Sequence, residues 1–121
     1  MIDFKRVDHI HICVPPDRLD EAKQFYINVI GLKKIERPDH LFSSAGFWFN
    51  IGDTQLHIGV DANTARTIRH TAFEVADINA ARHLLSINNV EIIEEPYIPG
   101  RKRFAFIDPF GNRMELLQLT N

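Results

Sequence analysis

Four side chains able to bind a metal recur at matched places in this 121-residue chain, which carries six histidines in all. His9 and His70 are 61 positions apart, and His57 and Glu115 are 58 apart. Each sits where apolar and polar residues alternate, and an extended strand sends successive side chains to opposite faces. His9 therefore shares a face with His11 and Cys13, opposite Ile10, Ile12 and Val14. Likewise Leu56 and Ile58 flank His57, Phe73 and Val75 follow His70, and Met114 and Leu116 bracket Glu115. For any one histidine, a solvent-facing strand is the plainer explanation. The matched spacing of all four argues for a metal instead. Imidazole and carboxylate suit zinc, nickel, manganese, cobalt or iron(II), and ligand type alone does not choose among them. We expect one divalent metal per site. Three neutral histidines and one carboxylate leave it one uncancelled positive charge, which favours a small anionic substrate.

The elements that must position these residues come in the same order twice. Strand Val7–Val14 leads into a helix with Asp17 as its expected N-cap and Gly31 just past its end. Its apolar stripe is Leu19, Ala22, Phe25, Tyr26, Val29 and Ile30. A short strand at Leu32–Glu36, a loop from Pro38 to Gly46, and a hairpin of Phe47–Ile51 with Thr54–Val60 follow. The second round begins with strand Arg69–Ala76 and a helix capped by Asp77, with Ile78, Ala81, Leu84, Leu85 and Ile87 facing inward. Strand Val90–Glu94, loop Glu95–Gly100 and a hairpin of Arg103–Asp108 with Arg113–Leu119 complete it. The expected fold class is α+β, with two βαβββ modules at about 5–61 and 66–119 in a single domain of 1–121. Each module alone would leave one sheet face uncovered.

Several segments together resemble the vicinal oxygen chelate superfamily. They are Asp8-His9-Ile10, Phe25-Tyr26 with Val29-Ile30-Gly31-Leu32, His70 through Asp77, and Asp108-Pro109-Phe110-Gly111-Asn112-Arg113-Met114-Glu115-Leu116. That superfamily includes glyoxalase I, methylmalonyl-CoA epimerase, fosfomycin-resistance enzymes, extradiol dioxygenases and bleomycin-resistance proteins. The resemblance covers about residues 5 to 119 and implies sheets curling around a metal cleft. By motif position His9, His70 and Glu115 are similar to the first, third and fourth ligands. His57 stands where glyoxalase I has glutamate and the epimerase has glutamine. The resemblance implies a metal-dependent isomerase, lyase or thiol-transfer enzyme in which the metal chelates substrate oxygens and Glu115 moves a proton. It also implies a homodimer, with His9 and His57 from one subunit meeting His70 and Glu115 from the other. Two other functions fit the same fold. One is an iron(II) extradiol-type dioxygenase with His57 as an acid–base group rather than a ligand. The other is a metal-free drug-binding protein of the bleomycin-resistance kind.

His11, Cys13, Phe47, Trp48, Phe49, Arg101 and Arg103 are the further candidates for lining a substrate pocket, although concave-sheet packing and a solvated basic loop explain them as simply. His40 and His83 are given no role. Net charge is −2, with 14 basic and 16 acidic residues, so no basic excess exists for nucleic-acid phosphates. One cysteine cannot form an intramolecular disulfide. No apolar run approaches the ~20 residues of a membrane span, and the first residues are charged, so a cytoplasmic location is expected.

Overall fold

The computed structural model describes residues 1–120. Two compact modules make up the chain, Met1–Thr64 and a second that begins at Ala65. The first contains β1 (His9–Val14), β2 (Lys33–Ile35), β3 (Gly46–Ile51) and β4 (Thr54–Val60), with a helical stretch between β1 and β2. Its sheet runs β1-β4-β3-β2, with β1 parallel to β4 and the other neighbours antiparallel. The helical stretch opens as a 3-10 turn at Pro16–Arg18, becomes α1 (Leu19–Gln24), and loosens into a π turn over Phe25–Val29. Asp17 is not the N-cap expected of it. Pro15 holds that place, and Asp17 lies inside the first turn. Pro16 explains the shift, because its fixed φ and missing N–H suit the start of a helix.

Ala22, Phe25 and Tyr26 point from this stretch into the core, and Tyr26 is fully buried with its ring 6.4 Å from that of Phe49. Val14, Leu56 and Ile58 are buried on the same sheet face. The opposite face of β1 and β4 carries the histidines.

The second module repeats the plan with β5 (His70–Glu74), α2 (Ile78–Ile87), β6 (Glu91–Glu94), β7 (Arg101–Ile107) and β8 (Arg113–Leu119). Its sheet runs β5-β8-β7-β6, again with the first and last strands parallel. Asp77 is the N-cap, its carboxylate accepting the Ala80 N–H at 3.0 Å. Ile78 and Leu85 are buried, whereas Leu84 and Ile87 are exposed, contrary to the inward stripe expected. At 100° per residue the stripe through Ile78 and Leu85 continues through Ala81 and Arg82, whereas Leu84 falls to its side and Ile87 on the opposite face. Asn89 ends the helix at φ +58°, a left-handed position that asparagine tolerates. β7 begins at Arg101, two residues before the expected start, so Arg101 to Arg103 are strand rather than loop.

The turn between β7 and β8 is built on Asp108, which is buried. Its Oδ1 accepts the Phe110 and Asn112 N–H groups at 2.9 and 2.8 Å, and its Oδ2 accepts the Asn112 side-chain amide at 3.0 Å. This clamp sets the register of β8, and hence the height at which Glu115 emerges. Asp108→Ala should lower stability by about 3 kcal/mol, because it leaves buried amides without their ionised acceptor. Urea unfolding checks it. A loss below about 1 kcal/mol would mean that Pro109 and Gly111 hold the turn unaided.

Candidate metal half-sites

Strand register places the candidate ligands. β1 and β4 align His9 with Gln55, His11 with His57 and Cys13 with Gly59. β5 and β8 align His70 with Arg113 and Ala72 with Glu115. In each module the second candidate thus lies two residues beyond the partner of the first. Trp48 pairs with His57 across β3 and β4 and shares its face. Phe47 and Phe49 alternate to the other face, where the Lys23 and Lys34 ammonium groups stand 5.2 and 5.8 Å from the Phe47 ring. Of the three aromatics expected near the pocket, only Trp48 joins the histidines.

In the first module the rings of Trp48, His57 and His9 form a stack. His57 lies 4.1 Å from Trp48 at an interplanar angle of 3°, and 4.0 Å from His9 at 13°. His9 Nδ1–H donates to the Asp8 carboxylate at 3.0 Å, which lowers the Asp8 pKa. His57 Nε2–H donates to Gln55 Oε1 at 2.9 Å. Burial, followed by the neighbouring His9 and His11, depresses the His57 pKa from 6.5 to about 4. His11 turns its Nε2–Cε1 edge towards Gly59, where an added Cβ would come within 2.6 Å of its Nε2. Cys13 Sγ is 3.8 Å from His11 Nδ1. Burial, and then the charge of Asp61, raise the Cys13 pKa, so a reactive thiolate is disfavoured there.

In the second module Glu115 is buried, 5% exposed, and its Oε1 lies 3.4 Å from His70 Nε2. His70 Nδ1–H donates to the Ile68 carbonyl at 2.9 Å. Arg103 Nη1 donates to the same Glu115 oxygen at 3.0 Å, while its Nε and Nη2 donate to the Pro96 carbonyl. Glu95 continues the chain of charges, 2.6 Å from Arg113 and 4.0 Å from Arg103. Arg101 and Arg103 also line a cavity of about 270 Å³ under the loop that carries Tyr97.

The donor set suits a divalent cation. A carbonyl or carboxylate accepts only, so His9 and His70 each donate through Nδ1–H, and the neutral ring, where it forms, offers its Nε2 lone pair, the arrangement usual for metal-bound imidazole. Two ligands each about 2.1 Å from one ion lie about 3.0–3.4 Å apart, and His70 Nε2 and Glu115 Oε1 have that spacing. A divalent ion there would replace the proton that otherwise joins the two groups as an ion pair. Within either module, the described residues bring no three such side chains together.

Asp8, Gln55, Glu95 and Arg113 went unassigned in the sequence. Gln55 was accessible to the same reading, two residues before His57 and hence on its face. The contacts of Arg103 with Glu115 and Pro96 carry no local sequence signal.

A sequence profile described as the Glyoxalase/Bleomycin resistance protein/Dioxygenase superfamily matches residues 6–116. The chain belongs to this superfamily. A glyoxalase-family structure from Bacillus anthracis is 33% identical with a TM-score of 0.89, and the alignment covers 99% of each chain. A variant of the fosfomycin resistance protein FosX from Listeria monocytogenes, complexed with Mn(II) and 1S,2S-dihydroxypropylphosphonic acid, has the same fold. It is 24% identical with a TM-score of 0.81 over 98% of this chain and 95% of that one. Lactoylglutathione lyase from Agrobacterium tumefaciens also shares the superfamily's fold, at 18% identity and a TM-score of 0.72 over 93% and 92%. No curated protein sequence matches significantly. Among the described residues no helix is long and apolar enough to cross a membrane.

The His57 environment gives this superfamily member a pH signature. In chelator-treated protein, the His57 ring resonances should titrate with a midpoint of about 4. The unfolded chain takes up that proton near pH 6.5, so stability falls as pH drops from 6.5 towards 4 and levels off below. His57→Phe should make the acid side of the stability curve shallower. A His57 midpoint near 6.5 in proton NMR would overturn the assignment.

Proposed function

We propose that this protein is a divalent-metal-dependent enzyme of the glyoxalase type, acting on a small oxyanionic substrate by isomerase, lyase or thiol-transfer chemistry. The observation that carries this reading is the His70–Glu115 pair, two ligand atoms at metal spacing with His70 Nδ1 already tethered to a carbonyl. His9, with Nδ1 tethered to Asp8, supplies the third ligand. A bound divalent ion would supply Lewis acidity towards two substrate oxygens.

The protein's own groups do the remaining work. Arg103, fixed by the Pro96 carbonyl, holds Glu115 Oε1 in one orientation. Glu115 is the carboxylate that takes a proton from the substrate and returns it. Neutral histidines and one carboxylate leave a net positive site for an anion, and the Arg103 charge beside Glu115 adds to it.

The two half-sites complete one another in a symmetric homodimer, which fits the superfamily's paired-module plan, in the cytoplasm. Titration of chelator-stripped protein with Mn(II), Ni(II) or Zn(II) should give one ion per chain. His70→Ala should abolish that stoichiometric binding, and unchanged affinity in this variant would end the metal reading. Asp8→Asn should weaken binding by about 10-fold or more, since it removes the carboxylate behind a ligand. Mixing His9→Ala with Glu115→Ala protein should restore metal sites only if ligands are shared between subunits. Light scattering showing a monomer would remove that arrangement. Catechol cleavage in air with ferrous iron, or bleomycin binding to stripped protein, would redirect the assignment to the corresponding relatives.

A further inference from the structure

His57 is the one candidate ligand whose ring is already occupied on both faces. Trp48 covers one face and His9 the other, all three rings being near parallel. The stack continues outward. Phe42 meets Trp48 edge-on at 6.1 Å, and the Arg37 guanidinium lies 4.4 Å over the Phe42 ring. Arg37 is itself tied to Asp39 at 2.6 Å and to the Ser44 carbonyl at 3.0 Å. His57 is thus the inner layer of a braced column, and His9 is its exposed end.

Imidazole binds a metal through a lone pair in the ring plane, about 2.0–2.1 Å from nitrogen. An ion placed so in the plane of His9 stands roughly a ring thickness, about 3.5 Å, off the plane of His57. A tilt of 13° does not close that gap. The His57 Nε2 edge is also engaged with Gln55. Stacked rings cannot aim their lone pairs at one point.

Building on the metal assignment above, we infer that His57 is not a ligand but a positioning residue. Its flat face holds the His9 ring in the plane from which Nε2 meets the ion. Of the first module's candidates, His9 alone is then left to meet the ion. Asp8 fixes the rotation of His9 within its plane, and His57 fixes the plane.

Long-range proton–nitrogen NMR of uniformly ¹⁵N-labelled parent protein, stripped and then loaded with Zn(II), tests this without any substitution. The Nε2 resonances of His9 and His70 should move on loading to the range of metal-bound imidazole, while neither nitrogen of His57 does. A metal-bound shift at His57 overturns the inference. Absence of any shift at His9 and His70 would instead refute the underlying metal assignment.

Variants separate platform from ligand. His57→Phe keeps a flat ring without a donor and should bind Zn(II) within about 3-fold of the parent. His57→Ala should weaken binding by about 10-fold or more while retaining one ion per chain, as for loss of a residue behind a ligand. Equal loss in both variants, or loss in neither, contradicts a platform role. Trp48→Phe against Trp48→Leu repeats the comparison one layer out, where substitution threatens the fold less. In the stripped protein, His57→Ala but not His57→Phe should broaden the His9 ring resonances. An unchanged His9 in the alanine variant also counts against it.

Discussion

Parallel pairing between the first and last strands of each module sets the positions of everything that bears on chemistry. Residues in register on neighbouring parallel strands share a sheet face, and so do residues two apart on one strand. With His9 opposite Gln55 and His70 opposite Arg113, His57 and Glu115, each two residues further along, are delivered to the same face as the histidine of their own module. A slip of one residue would send His57 or Glu115 into the apolar face beneath the helix. That slip is blocked by burial. Leu56 and Ile58, and Met114 on β8, would have to exchange places with a polar neighbour. The packing that stabilises each sheet is therefore the same constraint that aims its polar side chains.

On that shared skeleton the modules handle polarity differently. The first buries a neutral imidazole and surrounds it with rings, which keeps the proton off His57. The second buries a carboxylate, and an isolated buried charge is costly unless it is paired and hydrogen-bonded. Arg103 meets that requirement at Glu115, and Glu95 does the same for Arg113. Two guanidinium and two carboxylate groups balance within one network. Because Arg103 also holds the Pro96 carbonyl, the loop after β6 is fastened to the carboxylate it overlooks.

The repeat, the element order along the chain and the sheet faces that carry His9, His57, His70 and Glu115 were readable because each depends on a periodic pattern. Alternation around His9 and His57, and the offsets to His70 and Glu115, survive whatever the side chains later do. The helix details were less readable. Asp17 has the composition of an N-cap, but Pro16 at the first helical position moves the helix start ahead of it. Leu84 and Ile87 are apolar yet stand off the buried stripe, and composition does not reveal which apolar residues of a helix face the core. The contacts of Arg103 were beyond reach for another reason. They join β7 to β8 and to the loop after β6, and a charged side chain reads the same whether it is solvated or buried in a network. Trp48 stacking on His57 belongs to this group. Alternation puts the two on one face, but only three-dimensional packing says that the rings lie flat against one another.

His9 and His70 are oriented through the same ring atom by different means, and the difference has a consequence. Both have Nδ1–H directed at an oxygen, which leaves Nε2 as the basic atom. The oxygen is a carboxylate behind His9 and a neutral carbonyl behind His70. A charged acceptor makes the stronger hydrogen bond. It is also the more dependent on solvent conditions, since Asp8 and His9 are both exposed and salt screens exposed charges. His70 draws on a backbone carbonyl instead, which salt and acid leave unchanged, and stands beside a carboxylate already held by Arg103. The second module is thus the charge-balanced half of the candidate set. The first depends on ring packing and an exposed carboxylate to hold its histidine, and so it is the half whose geometry can be adjusted without unsettling a buried charge.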